Sequence, residues 1–142
     1  MRKSLRAALV LSALAGVLTA TAPASASAVN AGEQFHVCYK NSDCNMGFST
    51  GTIAWSLPSA LVNISGSVVN RRNSDYSTTV IFETFNDLGE KRTSDSRTVS
   101  DGAKRINFSP NAGHIWRIKI TVCQNFPGVG QRCGTPENYS RR

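Results

Sequence analysis

Between Ser109 and Asn125 the sequence reads SPNAGHIWRIKITVCQN, and His114, Trp116, Arg117 and Cys123 fall inside ten of those residues. An imidazole, an indole, a guanidinium and a thiol at that density are the makings of a nucleophilic or recognition cluster. Nucleophilic catalysis needs a nucleophile, an activating base and a group that orients the base. His36 and His114 are the two histidines, the only side chains that ordinarily titrate near neutral pH. Neither stands in a G-x-S-x-G or H-E-x-x-H pattern. Cys38, Cys44, Cys123 and Cys133 offer thiolates only if they are unpaired. A working pair of carboxylates would come from Glu83, Asp87, Glu90, Asp95 and Asp101. These collect at turn-forming stretches and on one polar run, where carboxylates are ordinarily solvated. Neither cysteine pair has C-x-x-C spacing, and the histidines stand at unrelated places, so no metal ligand, cofactor or catalytic residue is assigned. The chain reads as a binding protein, not an enzyme.

The compartment is written at the start. MRKSLRAALVLSALAGVLTATAPASASA has a basic front (Arg2, Lys3, Arg6), an apolar run from Ala7 to Ala20 and a small-residue close. That is the three-part pattern of a secretory signal, with cleavage expected after Ala28 or, second, after Ala26. The apolar run is Ala-rich and short of the ~20 strongly apolar residues of a membrane span. A secreted, extracellular protein with no membrane anchor is expected, its mature part being one domain from Val29 to Arg142. Removing the three basic residues of the signal leaves 13 basic against 9 acidic residues, near +4. The dibasic pairs Arg71-Arg72, Lys104-Arg105 and Arg141-Arg142 are scattered and carry no aromatic platform between them. Nucleic acid is therefore not expected as a partner.

Four cysteines in an exported domain point to two disulfides. Three pairings are possible. The spacing favours Cys38–Cys44 across CYKNSDC and Cys123–Cys133 across QNFPGVGQR, because both intervening loops hold turn formers.

What must position all of these groups is a β-scaffold. Apolar alternation is interrupted by turn formers every eight to twelve residues, and helical periodicity does not appear after the signal. EQFHVCY places Phe35, Val37 and Tyr39 on one face. GFSTGTIAW supplies Phe48, Ile53 and Trp55, and LVNISGSVV supplies Val62, Ile64 and Val68, with Gly66 as a bulge or point of close approach. STTVIFETF is rich in β-branched and aromatic residues. EKRTSDSRTV is polar and fits a sheet edge guarded by charge. AKRINF turns Ile106 and Phe108 inward. In the opening segment, SPNAG forms a turn, then Trp116, Ile118, Ile120 and Val122 alternate with Arg117, Lys119 and Thr121. That alternation predicts a strand with Trp116 as a core anchor. About seven strands result: an all-β, small antiparallel sandwich, with closure into a small barrel the other arrangement the pattern allows.

The Ala-rich signal, the short mature chain with two disulfides and the Ser/Thr/Asn-rich strands resemble the small exported β-proteins of Streptomyces and related actinobacteria. The chain resembles in particular the adaptor subunit of the umbrella toxin particles, which links a large stalk-forming toxin protein to lectin subunits. The resemblance implies a non-catalytic β-sandwich with an extended N-terminal segment, here VNAGEQ, in which Val29, Asn30 and Gln34 would meet a partner. NRRNSDY adds Arg71, Arg72 and Tyr76, residue types enriched at interfaces. A second resemblance is to the tendamistat-like amylase inhibitors, whose contact is a Trp-Arg-Tyr triplet on a turn. The nearest match, Trp116-Arg117-Ile118, lacks the tyrosine and is expected within a strand. A third reading is a carbohydrate or cell-wall binder in which Trp55 and the tyrosines stack on sugars.

Overall fold

The computed structural model describes residues 32–40, 43–56, 61–73, 75–111 and 113–142; the signal segment, Val29 and Asn30 lie outside them. Among the described residues there is no helix, and nine strands follow in chain order. They are β1 (Glu33–Lys40), β2 (Asp43–Ser56), β3 (Leu61–Asn70), β4 (Ser77–Phe85), β5 (Lys91–Val99), β6 (Gly102–Phe108), β7 (Arg117–Phe126), β8 (Gly130–Cys133) and β9 (Glu137–Ser140). One antiparallel sheet runs β1-β2-β3-β6. The other runs β5-β4-β7, with β8 and β9 end to end along the free side of β7. The protein is thus a two-sheet β-sandwich, and its disulfides are Cys38–Cys44 and Cys123–Cys133, the local pairing that the spacing favours.

The seven expected strands are β1 to β7. The last two are only four residues long, too short to show a period, and their side chains are mostly exposed. Each exists because β7 offers it a partner. Cys123 stands opposite Cys133 in the β7–β8 ladder, so the disulfide fixes that register.

Alternation does the rest. Phe35, Val37, Ile53, Ile64, Val68, Val80, Phe82, Ile106, Ile118, Ile120 and Val122 are at most 2% exposed and form one core between the sheets. Full burial of each such side chain is worth roughly 1.5–3 kcal/mol. The Phe35 and Phe82 rings meet edge to face across the two layers, centroids 6.3 Å apart. Gly66 does mark a close approach. It stands opposite Gly51 in the β2–β3 ladder, and a Cβ there would run into the Thr50 carbonyl oxygen and the Gly51 Cα. A Cβ on Gly51 would come within 2.9 Å of the Phe35 ring, which occupies the space the paired glycines leave.

The polar strand β5 is an edge, as its charges require. Asp95 and Arg97 stand opposite Phe82 and Val80, on the inward side, and pair with each other at 2.7 Å. Inward-facing charge on an edge strand opposes docking of another strand.

The expectation for Trp116 is wrong. β7 begins at Arg117, Trp116 is 47% exposed, and Ile115, 1% exposed, fills that end of the core. The β4–β7 ladder ends with Phe85 opposite Arg117. Trp116 keeps backbone hydrogen bonds to Phe85 and Arg141, but it lies just before the strand, where Ile115 and not the indole fills the core. Among the described residues no helix is long and apolar enough to cross a membrane.

Candidate partner-binding surface

One end of the sandwich is organised by a buried polar trio. Asn70, the last residue of β3, is 4% exposed, and Thr78 and Gln124 are fully buried. The Asn70 amide nitrogen donates to the carbonyl oxygens of Tyr76 at 2.9 Å and Ser100 at 2.7 Å. The Thr78 hydroxyl lies 3.0 Å from the Asn70 amide oxygen and 3.1 Å from that of Gln124, joining the two sheets. Gly47 packs on this trio, since a Cβ there would strike the Thr78 side chain. Polar groups this deep stabilise only when satisfied, and their bonds tie Tyr76 and Ser100 to the end of β3.

That connection carries Arg71, Arg72 and Tyr76. The Arg71 N–H donates to the Met46 carbonyl at 3.1 Å, and its guanidinium lies over the Phe48 ring, 4.9 Å from the centroid. Arg72 lies 5.6 Å from the centroid of Tyr76. Tyr76 meets Phe126 edge-on at 5.9 Å, and Phe126 in turn contacts Tyr39 at 6.0 Å. On the other side of Phe48 stands His36, its ring centroid 5.2 Å away. Gln34 precedes His36 by two residues on the same face of β1 and donates to the Thr52 hydroxyl at 3.0 Å. His36 thus reaches Arg71 through Phe48, with Gln34 on the same face of β1, while Tyr76, beneath Arg72, meets Phe126. Val29 and Asn30 lie outside the described residues.

Arg71 and Arg72 are exposed and form no ion pair among the described residues. A guanidinium resting on an aromatic ring keeps its planar fork pre-ordered for a carboxylate. The sequence reading missed His36, Phe48 and Phe126 as the supports of this cluster. The run GFSTGTIAW sets Phe48 beside the core-forming Ile53 and Trp55, yet its even position sends it to the opposite face of β2.

His36, Cys38 and Cys44 bring their donor atoms within 4.8 Å of one another, the donor types of a soft-metal site. Both sulfurs are bonded to each other in the disulfide, with the His36 Nε2 3.3 Å from Cys44 Sγ, so no thiolate is left to coordinate. The carboxylates are largely occupied. Glu83 sits between Lys119 and Lys91, the latter at 2.6 Å, and hydrogen bonds from these two ammonium groups hold its pKa below the usual range. Glu90 accepts from the Asn86 amide at 2.8 Å in the β4–β5 turn.

The opposite end carries a cleft of about 300 Å³ lined by Asp87, His114, Ile115, Trp116 and Arg141. Trp55, by contrast, is 7% exposed and Tyr39 8%, so neither presents a face for stacking on a sugar.

Comparisons with protein-family models, with curated proteins and with solved structures gave no match to this chain.

Proposed function

We propose that this chain is an exported, non-enzymatic adaptor: a binding subunit of an extracellular antibacterial toxin complex that links a large toxin protein to lectin subunits. The observation that supports the reading best is the pair of exposed arginines, each resting on an aromatic ring, without an ion pair among the described residues and next to the strand end that Asn70 ties down. Arginine and tyrosine held this way lose little freedom on binding, the property of an interface anchor. The surface suits an acidic patch on a protein partner. The test is affinity capture of the tagged mature chain from culture supernatant, followed by mass spectrometry of what it retains. Large secreted partners are expected with the native chain. They should be lost when Arg71→Glu and Arg72→Glu are combined, since both charges then repel an acidic patch.

A second reading, a secreted inhibitor of a hydrolase such as an amylase, is favoured by one observation. Trp116 is exposed, and Arg117 beside it lies over Phe85 on the outer face, 4.3 Å from the ring centroid. Ile118 is fully buried where that family carries a contacting tyrosine. A native chain that travels alone and blocks amylase turnover would replace the adaptor reading with this one.

A further inference from the structure

We infer that the cleft around Trp116 is a saccharide-binding site that takes a single pyranose ring, independent of the adaptor surface at the other end of the sandwich. Three observations converge there. The first is an exposed aromatic side chain on a fixed backbone. The Trp116 N–H donates to the Phe85 carbonyl at 2.8 Å, and its own carbonyl accepts from the Arg141 N–H at 2.9 Å. The backbone is therefore held on both sides while the residue stays 47% exposed. A half-exposed tryptophan at the end of an otherwise well-filled core is not called for by packing, because Ile115 already fills that end.

The second is the set of polar groups around it. Asp87, His114 and Arg141 line the same cleft, and none of their side chains takes part in a hydrogen bond or ion pair among the described residues. They offer a carboxylate acceptor, a guanidinium donor and an imidazole that can do either. The third is backbone strain. His114 is the one non-glycine residue among the described residues with a positive φ, 61°. Such conformations are costly and cluster at binding and active sites.

The ligand class follows from the mixture. A pyranose has one face of C–H groups, which suits the electron-rich face of an indole, and a rim of hydroxyls that both donate and accept. Asp87 opposes a phosphate or nucleotide. An aromatic ligand would leave the carboxylate and guanidinium unused. The cleft volume is at the lower end of small-molecule sites, which run to about 1,000 Å³, and so admits one ring in preference to a folded peptide.

The experiment follows the two indole N–H resonances of the mature chain by NMR. Neutral hexoses, N-acetylhexosamines and hexuronic acids are added separately at millimolar concentrations. One class should shift the Trp116 signal saturably and leave that of buried Trp55 in place. Trp116→Ala, at an exposed position, should fold normally and weaken retention on the same immobilised sugar by about tenfold or more. Asp87→Asn should weaken it as well, and Lys104→Ala, on β6 away from the cleft, should leave it unchanged. No shift with any of the three classes would overturn the proposal. So would retention that survives both Trp116→Ala and Asp87→Asn, or a Trp116 signal that moves only on adding amylase.

Discussion

Asn70 shows how one side chain ties the two sheets and the start of β4 together. It ends a strand, closes a buried trio with Thr78 and Gln124, and holds the carbonyls of Tyr76 and Ser100. Asn70→Ala would remove the donor to those two carbonyls and the oxygen that faces the buried Thr78 hydroxyl, a loss of about 1–3 kcal/mol. Chemical denaturation should read that loss as a lower midpoint at unchanged slope, because the same surface is exposed on unfolding. Glu83 makes a different prediction. Its folded pKa is depressed by Lys119 and Lys91, so its contribution is complete above the unfolded glutamate value of ~4.3 and is lost as pH falls through the lower folded value. Glu83→Gln should therefore be less stable than the native chain at neutral pH. The gap should close in the acid limb below ~4.3, as denaturation midpoints across a pH series would show. A gap that widens on acidification would mean that the two lysines are not what holds Glu83.

At the scale of elements, the alternation in β1, β3, β4 and β7 was legible because each faces the core on one side along most of its length. The edge strand β5 was legible for the opposite reason, since its charges leave nothing to bury. Its inward Asp95–Arg97 pair is read here as protection against strand addition. Replacing both by valine should produce concentration-dependent self-association by light scattering; a double variant that stays monomeric would remove that role. Three things were not legible. β8 and β9 owe their existence to the free side of β7 and carry no period of their own. Trp116 departs from the pattern because Ile115 fills the core just before β7 begins, a packing outcome with no mark in the local alternation. The support of Arg71 by Phe48, and of Phe48 by His36, depends on the register between β1 and β2. The residue types of Arg71, Arg72 and Tyr76 were readable in advance; the rings beneath the first of them were not.

For the whole molecule, the sandwich separates two surfaces. One end carries Arg71, Arg72 and Tyr76 on the buried polar trio, and the other carries Trp116 in its cleft. The covalent design fits export: two disulfides each close a short loop and stabilise by a few kcal/mol at most. The measurement that tests the adaptor reading most directly is capture from culture supernatant with the native mature chain beside its Arg71→Glu/Arg72→Glu variant. The account predicts that the native chain retains large secreted proteins and that the variant, equally folded by circular dichroism, loses them. A native chain that elutes alone, or a variant that retains the same proteins in the same amount, would contradict it.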